Sequence, residues 1–265
     1  MPEAPRLSLD AVSLEFGGVS VLNSITLDVA PGEVLALIGP NGAGKSALLN
    51  CISGIYRPAA GSRIAIDGAR IDQLPAHRVI RAGVRRTFQG MHLVGELTVL
   101  ENVLLGLAPR FHLGAFASLA LPLRALREER ENTKRAEAVL ERTGLGGVAR
   151  ERSADLPLGV LRRVDLARAL VGAPALLLLD EPASGLSHDE RPLIAEMIAL
   201  ARGARADLAV LWIEHDLDLV LSVAERAAVL HHGELIHVGD PRREDERRRI
   251  VAAYKGGRPA AAEAA

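Results

Sequence analysis

Gly39-Pro40-Asn41-Gly42-Ala43-Gly44-Lys45-Ser46, read as GPNGAGKS, is the stretch that decides the fold. It fits the phosphate-loop (Walker A) pattern, and each residue type has a physical reason to be there. Glycines let the loop turn its amide hydrogens inward as an anion-binding nest. A helix starting at Gly44 adds its N-terminal donors and its dipole. The ammonium of Lys45 can reach the β- and γ-phosphates of a nucleotide, and the hydroxyl of Ser46 can ligate Mg²⁺. The context agrees: an apolar strand, Glu33–Ile38, precedes the loop, and helical spacing over Ser46–Ile55 follows it. All eight residues are therefore candidate nucleotide-binding positions.

Outward from the loop, strands and helices alternate. Leu7–Val29 reads as strand with a turn or bulge near Asp10, because Leu7 and Leu9 lie in one phase and Val12, Leu14 and Phe16 in the other. Gly17-Gly18 is a turn signal, after which Val21–Val29 resumes the alternation. Ser62–Ile71 returns to strand. From about Met91 to Ala169 the texture is that of helix formers, with a charged helix predicted over Arg127–Glu141. Ala175–Leu179 and Ala209–Ile213 are apolar runs of the buried-strand type. Ala227–Val238 reads as a hairpin turning at His231-His232-Gly233. A Gly/Ala/Pro tail, Gly256–Ala265, is expected to be disordered. The pattern predicts an α/β fold with a parallel sheet, an antiparallel β portion at the front and a helical insertion in the middle.

Two strand ends complete a candidate site. Leu176–Leu179 runs into Asp180-Glu181-Pro182. A rigid strand would carry Asp180 to the sheet's C-terminal edge, where it can hold Mg²⁺ directly or through water. Glu181 would face the γ-phosphate as general base on the attacking water. Taken alone, two acids after a strand can equally be a solvated turn; after a phosphate loop the site reading prevails. Trp212-Ile213-Glu214-His215-Asp216 closes the next apolar strand, and His215 there can contact the γ-phosphate as a switch.

Composition removes other classes. The 265 residues are 49% hydrophobic, enough for a sizeable core. With 32 basic against 33 acidic residues the net charge is −1, and aromatics are 3%. Neither a basic nucleic-acid surface nor a base-stacking platform is expected. The single cysteine, Cys51, excludes an internal disulfide and fits a reducing compartment. No signal peptide is read at the N-terminus, and the longest apolar stretches, Leu113–Leu123 and Ala169–Leu179, fall short of the roughly 20 residues of a spanning helix.

These motifs together resemble the ATP-binding subunits of ABC transporters, over Leu7 to Val251. GPNGAGKS matches Walker A, LLLLDEP matches Walker B, Ser184-Gly185-Leu186-Ser187 falls on the D-loop and His215 on the H-loop histidine. Phe16 matches the aromatic that stacks on adenine. Gln89, in Arg85-Arg86-Thr87-Phe88-Gln89, matches the Q-loop glutamine that senses the γ-phosphate, ligates Mg²⁺ and touches the membrane subunit. The wording around Arg85–Gln89, EHDLDLV, Gly239–Pro241 and Val251–Tyr254 is most similar to branched-chain amino acid importers. Subunits for urea import and lipopolysaccharide export share much of this texture. The resemblance implies a P-loop NTPase with a RecA-like core (about 6–90 and 165–250), an antiparallel β subdomain and an α-helical subdomain (about 91–164), together one ATPase domain over 6–250. It implies ATP and Mg²⁺ as cofactors, an ATP-sandwiching dimer, transmembrane permease partners, no nucleic acid, and a peripheral place on the cytoplasmic face of the plasma membrane.

One motif departs from the family. Its signature reads about LSGGQ, or LAYGQQR in the resembled importers; here it is Leu156-Pro157-Leu158-Gly159-Val160-Leu161-Arg162. Gly159 keeps the position that would touch a partner subunit's ATP, and a helix, Arg162–Leu170, is expected to follow. Pro157 brings neither hydroxyl nor N–H, Leu158 adds bulk, and Val160 and Leu161 replace two amide side chains. Lost donors to a developing negative charge cost about 2.7–4 kcal/mol each in comparable settings. Ser187 and His188 likewise replace the usual Asn or Asp and Pro of the D-loop. Three readings follow: an ATPase subunit of an asymmetric pair, an ATP-binding regulatory half with weak hydrolysis, or plain drift in a tolerant loop.

Overall fold

Strand β3 (Val34–Ile38) explains how the fold is layered. All five of its side chains are buried, alternately on opposite faces: Val34, Ala36 and Ile38 enter one core, Leu35 and Leu37 the other. Strands β7 (Leu176–Asp180) and β8 (Ala209–Ile213) divide the same way, with Leu177, Leu179, Val210 and Trp212 on the first face and Leu176, Leu178, Leu211 and Ile213 on the second. Continuous apolar runs are what a sheet covered on both sides demands. The computed structural model describes residues 4–87, 92–108 and 122–256, with backbone alone at 122–125 and 204. The tail from 257 onward lies outside the described residues.

Six strands form the main sheet in the order β10-β9-β3-β8-β7-β6, with β6 at Val84–Thr87, β9 at Arg226–His231 and β10 at Glu234–Gly239. All neighbours are parallel except the β9–β10 hairpin. A second, antiparallel sheet has the order β2-β1-β4-β5, from β1 (Leu7–Phe16), β2 (Val19–Val29), β4 (Arg63–Ile66) and β5 (Ala69–Arg70). The expected phase change is a bulge: the register shifts between Leu9 and Val12, and Ala11 sits at φ 49. Ser62–Ile71, expected as one strand, is two short ones turning at Asp67-Gly68. Arg6 ties the sheets together, donating to Asp67 and to Asp207 Oδ2 at 2.6 Å each.

The helices are α1 (Lys45–Ile52), α2 (Ala76–Arg81), α3 (Val99–Leu105), α4 (Pro122–Arg142), α5 (Leu158–Leu170), α6 (Pro192–Ala204), α7 (Leu217–Val223) and α8 (Glu244–Tyr254). α1 stops short of the expected Ile55 because the amides of Ile55 and Tyr56 both turn back to the Asn50 carbonyl. The helix expected at Arg162 starts four residues earlier, at Leu158, so Gly159 lies in its first turn rather than in a loop before it. Helices α3, α4 and α5 pack on the first face of the sheet; α1 and the antiparallel sheet cover the second. Among the described residues no helix is long and apolar enough to cross a membrane.

Candidate functional site

The parallel register brings three strand ends to one level. Ile213 of β8 pairs with Leu37 of β3 on one side and with Asp180 of β7 on the other. The chain leaving β3 enters the phosphate loop, that leaving β7 presents Glu181, and that leaving β8 presents Glu214 and His215. β8 therefore stands between the two strands that carry the loop and Asp180, and its own end falls in the middle of the site.

The loop is shaped from behind. A Cβ on Gly39 would lie 2.0 Å from the Leu230 carbonyl oxygen, so only glycine lets the loop cross β9. Gly44 caps α1 at φ 104, a left-handed conformation at the point where the loop turns into the helix. The turn of the last hairpin also braces the loop, since Gly233 N donates to the Ala43 carbonyl at 2.9 Å. Pro40, Asn41 and Gly42 form the outer rim, and Ser46 is exposed at the second position of α1.

Lys45 is buried, and its Nζ donates to the carbonyls of Gly39 (2.7 Å) and Pro40 (2.9 Å). Burial lowers its pKa, and the nearby carboxylates of Glu181 and Asp180 pull it back up. The ammonium thus lies within electrostatic reach of both acids although they come from distant sequence.

Asp180 is buried and paired with Arg86, whose Nη2 donates to Oδ2 at 2.6 Å. Its other oxygen, Oδ1, is buried with no hydrogen-bond partner among the described residues. An unsatisfied buried carboxylate oxygen invites a ligand. No cluster of three or more His, Cys, Asp or Glu able to hold a metal occurs among the described residues. A small donor set of one carboxylate and one hydroxyl suits Mg²⁺ that keeps waters and substrate phosphates as its other ligands.

Glu181 holds a left-handed backbone, φ 47, unusual for a residue with a side chain. Its amide donates to the Ile213 carbonyl at 3.0 Å and its carbonyl accepts from Ser184 N, so the turn is fixed at both ends. His215 Nε2 donates to Glu181 Oε1 at 2.5 Å. A carboxylate only accepts, so this bond puts the ring proton on Nε2. Behind them Glu214, which the sequence reading passed over, is buried and accepts from the amides of His215 (2.8 Å) and Ala183 (3.4 Å). A charged residue amid an otherwise apolar strand end was the available signal. A cleft of about 530 Å³ opens here, lined by Glu181, Ser184, Gly185, Arg191, His215 and Asp216.

Phe16 stands apart, 47% exposed at the end of β1, with its ring edge-on to Tyr56 at 5.1 Å. Gln89, expected as a sensor and metal ligand, lies outside the described residues. Gly159 lies in the first turn of α5, where an added Cβ would meet only Leu193 and Glu190 at 3.7 and 3.8 Å. Pro157 is the N-cap of α5 and no side chain caps that helix. Arg162 on the same helix reaches the Ser184 carbonyl at 2.5 Å, and burial, set against Asp165 and Glu214, lowers its pKa. The altered D-loop has its own logic: Ser187 and Glu190 close a reciprocal capping box around the short turn at His188–Glu190.

A family model described as ABC transporter matches residues 22–184, from within β2 to the turn after Glu181. The chain belongs to the ABC transporter family. It is 36% identical over 252 residues to the high-affinity branched-chain amino acid transport ATP-binding protein LivG of Escherichia coli (strain K12), covering 95% of this chain and 98% of that one. Identity to the corresponding protein BraF of Pseudomonas aeruginosa is 35% over the same length. Among solved structures, a nucleotide-free ATP-binding cassette from an ABC transporter matches at TM-score 0.79 and 26% identity, covering 94% of this chain and 96% of that one. An ADP-bound cassette matches at TM-score 0.79 and 26% identity, over 95% and 96%. The expected α/β P-loop fold therefore holds, and the chain is a nucleotide-binding, transport-coupled ATPase.

Proposed function

We propose that this ATPase energises an importer of branched-chain or other neutral amino acids, from the cytoplasmic face of the plasma membrane. The observation that carries the chemistry is the convergence of Lys45, Asp180, Glu181 and His215 at one sheet edge. The subfamily rests on near full-length identity to the two branched-chain amino acid proteins. Permease subunits and a second ATP-binding subunit are the partners this reading requires. One ATPase domain over 6–250, with its helical part at about 91–164, is the unit that would dock on them.

In this reading the loop amides and Lys45 receive the β- and γ-phosphates in place of the carbonyls that Lys45 now holds. Ser46, Asp180 and Gln89 hold Mg²⁺, which supplies charge neutralisation for the phosphates. Glu181 takes the proton from the attacking water, and His215 fixes the carboxylate that does so. Phe16 packs against adenine.

We further infer that the working dimer is asymmetric. Leu158, 37% exposed, stands at the helix end that would face a partner's ATP, where LSGGQ has glycine and LAYGQQR tyrosine; the amide side chains that follow are replaced by Val160 and Leu161. The first amides of a helix have no intrahelical partner, so some donor capacity remains there. The side-chain donors do not. ATPase assays of the purified chain, alone and with its co-purifying second ATPase, test this reading. Slow turnover alone and fast turnover in the mixed dimer are expected. Robust activity alone, abolished by Glu181→Gln, would defeat the asymmetry. ATP bound in the mixed dimer without turnover would favour the regulatory half instead.

A further inference from the structure

We infer that Arg86 is a positioning residue for the metal half of the site, holding the Asp180 carboxylate so that one oxygen stays open. This rests on the nucleotide and Mg²⁺ reading above and adds a residue to it. Arg86 lies on β6, the edge strand, paired with Leu178 of β7. Its guanidinium grips two elements at once. Nη2 donates to Asp180 Oδ2 at 2.6 Å, while Nη1 donates to Asn50 Oδ1 at 2.7 Å and to Ser53 Oγ at 3.2 Å. Asn50 and Ser53 sit at the end of α1, whose first residues are Lys45 and Ser46.

Several facts distinguish this pair from an ordinary ion pair. Both side chains are shut away from water, 8% exposed for Arg86 and 4% for Asp180, so geometry is enforced rather than averaged. The planar fork reaches the β7 end and the α1 end together, which a single ammonium does not. The carboxylate is left divided, with Oδ2 engaged and Oδ1 buried without a partner among the described residues. Arg86 therefore fixes Asp180 through Oδ2, and it sets the direction in which Oδ1 points. Partners that orient a metal's ligand typically change metal affinity about 10–100-fold when removed.

The test measures binding of β,γ-imido-ATP to the full chain by equilibrium dialysis, in EDTA and across a Mg²⁺ titration. Arg86→Met is expected to leave the EDTA affinity intact and to raise the Mg²⁺ midpoint by about 10–100-fold. In an Asp180→Asn background the same substitution should have no further effect, because the residue acts through that carboxylate. An unchanged or lowered Mg²⁺ midpoint overturns the inference, as does an equal effect in both backgrounds. Should Arg86→Met not fold, Arg86→Lys is judged by the same criteria, with a smaller rise in the midpoint expected. Wild-type binding that is indifferent to Mg²⁺ would instead sink the metal reading beneath it.

Discussion

The sheet edge and the signature arm are two halves of one ATPase surface, built on different principles. At the sheet edge, Asp180, Glu181 and His215 each follow a strand whose apolar side chains are buried, so their positions are inherited from the core. The arm at Leu156–Arg162 carries its function on a helix start that is anchored by buried Arg162 and exposes Pro157 and Leu158. Substitution at the edge disturbs packing; substitution at Pro157 or Leu158 changes what the arm offers a partner and leaves the core alone. That difference explains how one half keeps its motifs while the other drifts or specialises.

The comparison is sharpened first by its largest expected effect. Glu181→Gln in the active dimer should lower kcat by about 10²–10⁴-fold while ATP binding persists. Loss of binding instead would mean that the strained turn at φ 47 collapses without its charge. Next comes repair of the arm. Pro157→Ser with Leu158→Gly should raise turnover of the purified chain alone by about 100-fold, the value of one restored donor. No gain would show that the arm is not what limits the homodimer. Lys45→Ala should weaken ATP binding by about 10–100-fold, the loss of charged hydrogen bonds worth about 1.5–3 kcal/mol; isothermal titration reads this directly. Phe16→Ala should raise the ATP Kd about fivefold, since aromatic stacking on a base is worth about 1 kcal/mol or more. The smallest effect concerns Cys51 in α1, whose thiol burial pushes up to about 12. Below that pH the native thiol stays protonated and only the unfolded chain offers thiolate, so alkylation at pH 8 should report unfolding and leave the native chain unmodified.

Legibility in the sequence followed the same division. Ala209–Ile213 was readable to the residue and the turn expected at His231-His232-Gly233 to within one, His231 closing β9, because a fully buried strand and a tight hairpin each leave a local signature. Val84–Thr87 was not read as a strand: two arginines sit in a four-residue run, and their burial depends on Asp180 and on the Ile80 carbonyl, which no local pattern displays. The start of α5 was missed because Pro, Gly and Val suggest a loop, whereas Pro157 in extended conformation is an ordinary residue to precede a helix. Short or highly charged helices such as Ala76–Arg81 and Glu244–Tyr254 carry too thin an apolar stripe to announce themselves. The candidate site was legible as three motifs; of the two residues that fix them, Glu214 left only the signal of a charge at an apolar strand end, and Arg86 left none, since its burial depends on the distant Asp180.

The contact between Leu230 and Gly39 also sets an order in time. The phosphate loop is translated well before the strand and hairpin turn that shape it, at Arg226–Gly233. Both neighbours of β3 in the sheet, β8 and β9, likewise follow the loop by more than half of the described chain. A nascent or truncated chain ending before residue 226 therefore displays the motif without the cradle. Competence to hold nucleotide therefore waits until translation has passed the β9–β10 turn, which makes nucleotide capture a check that the sheet behind the loop has been completed.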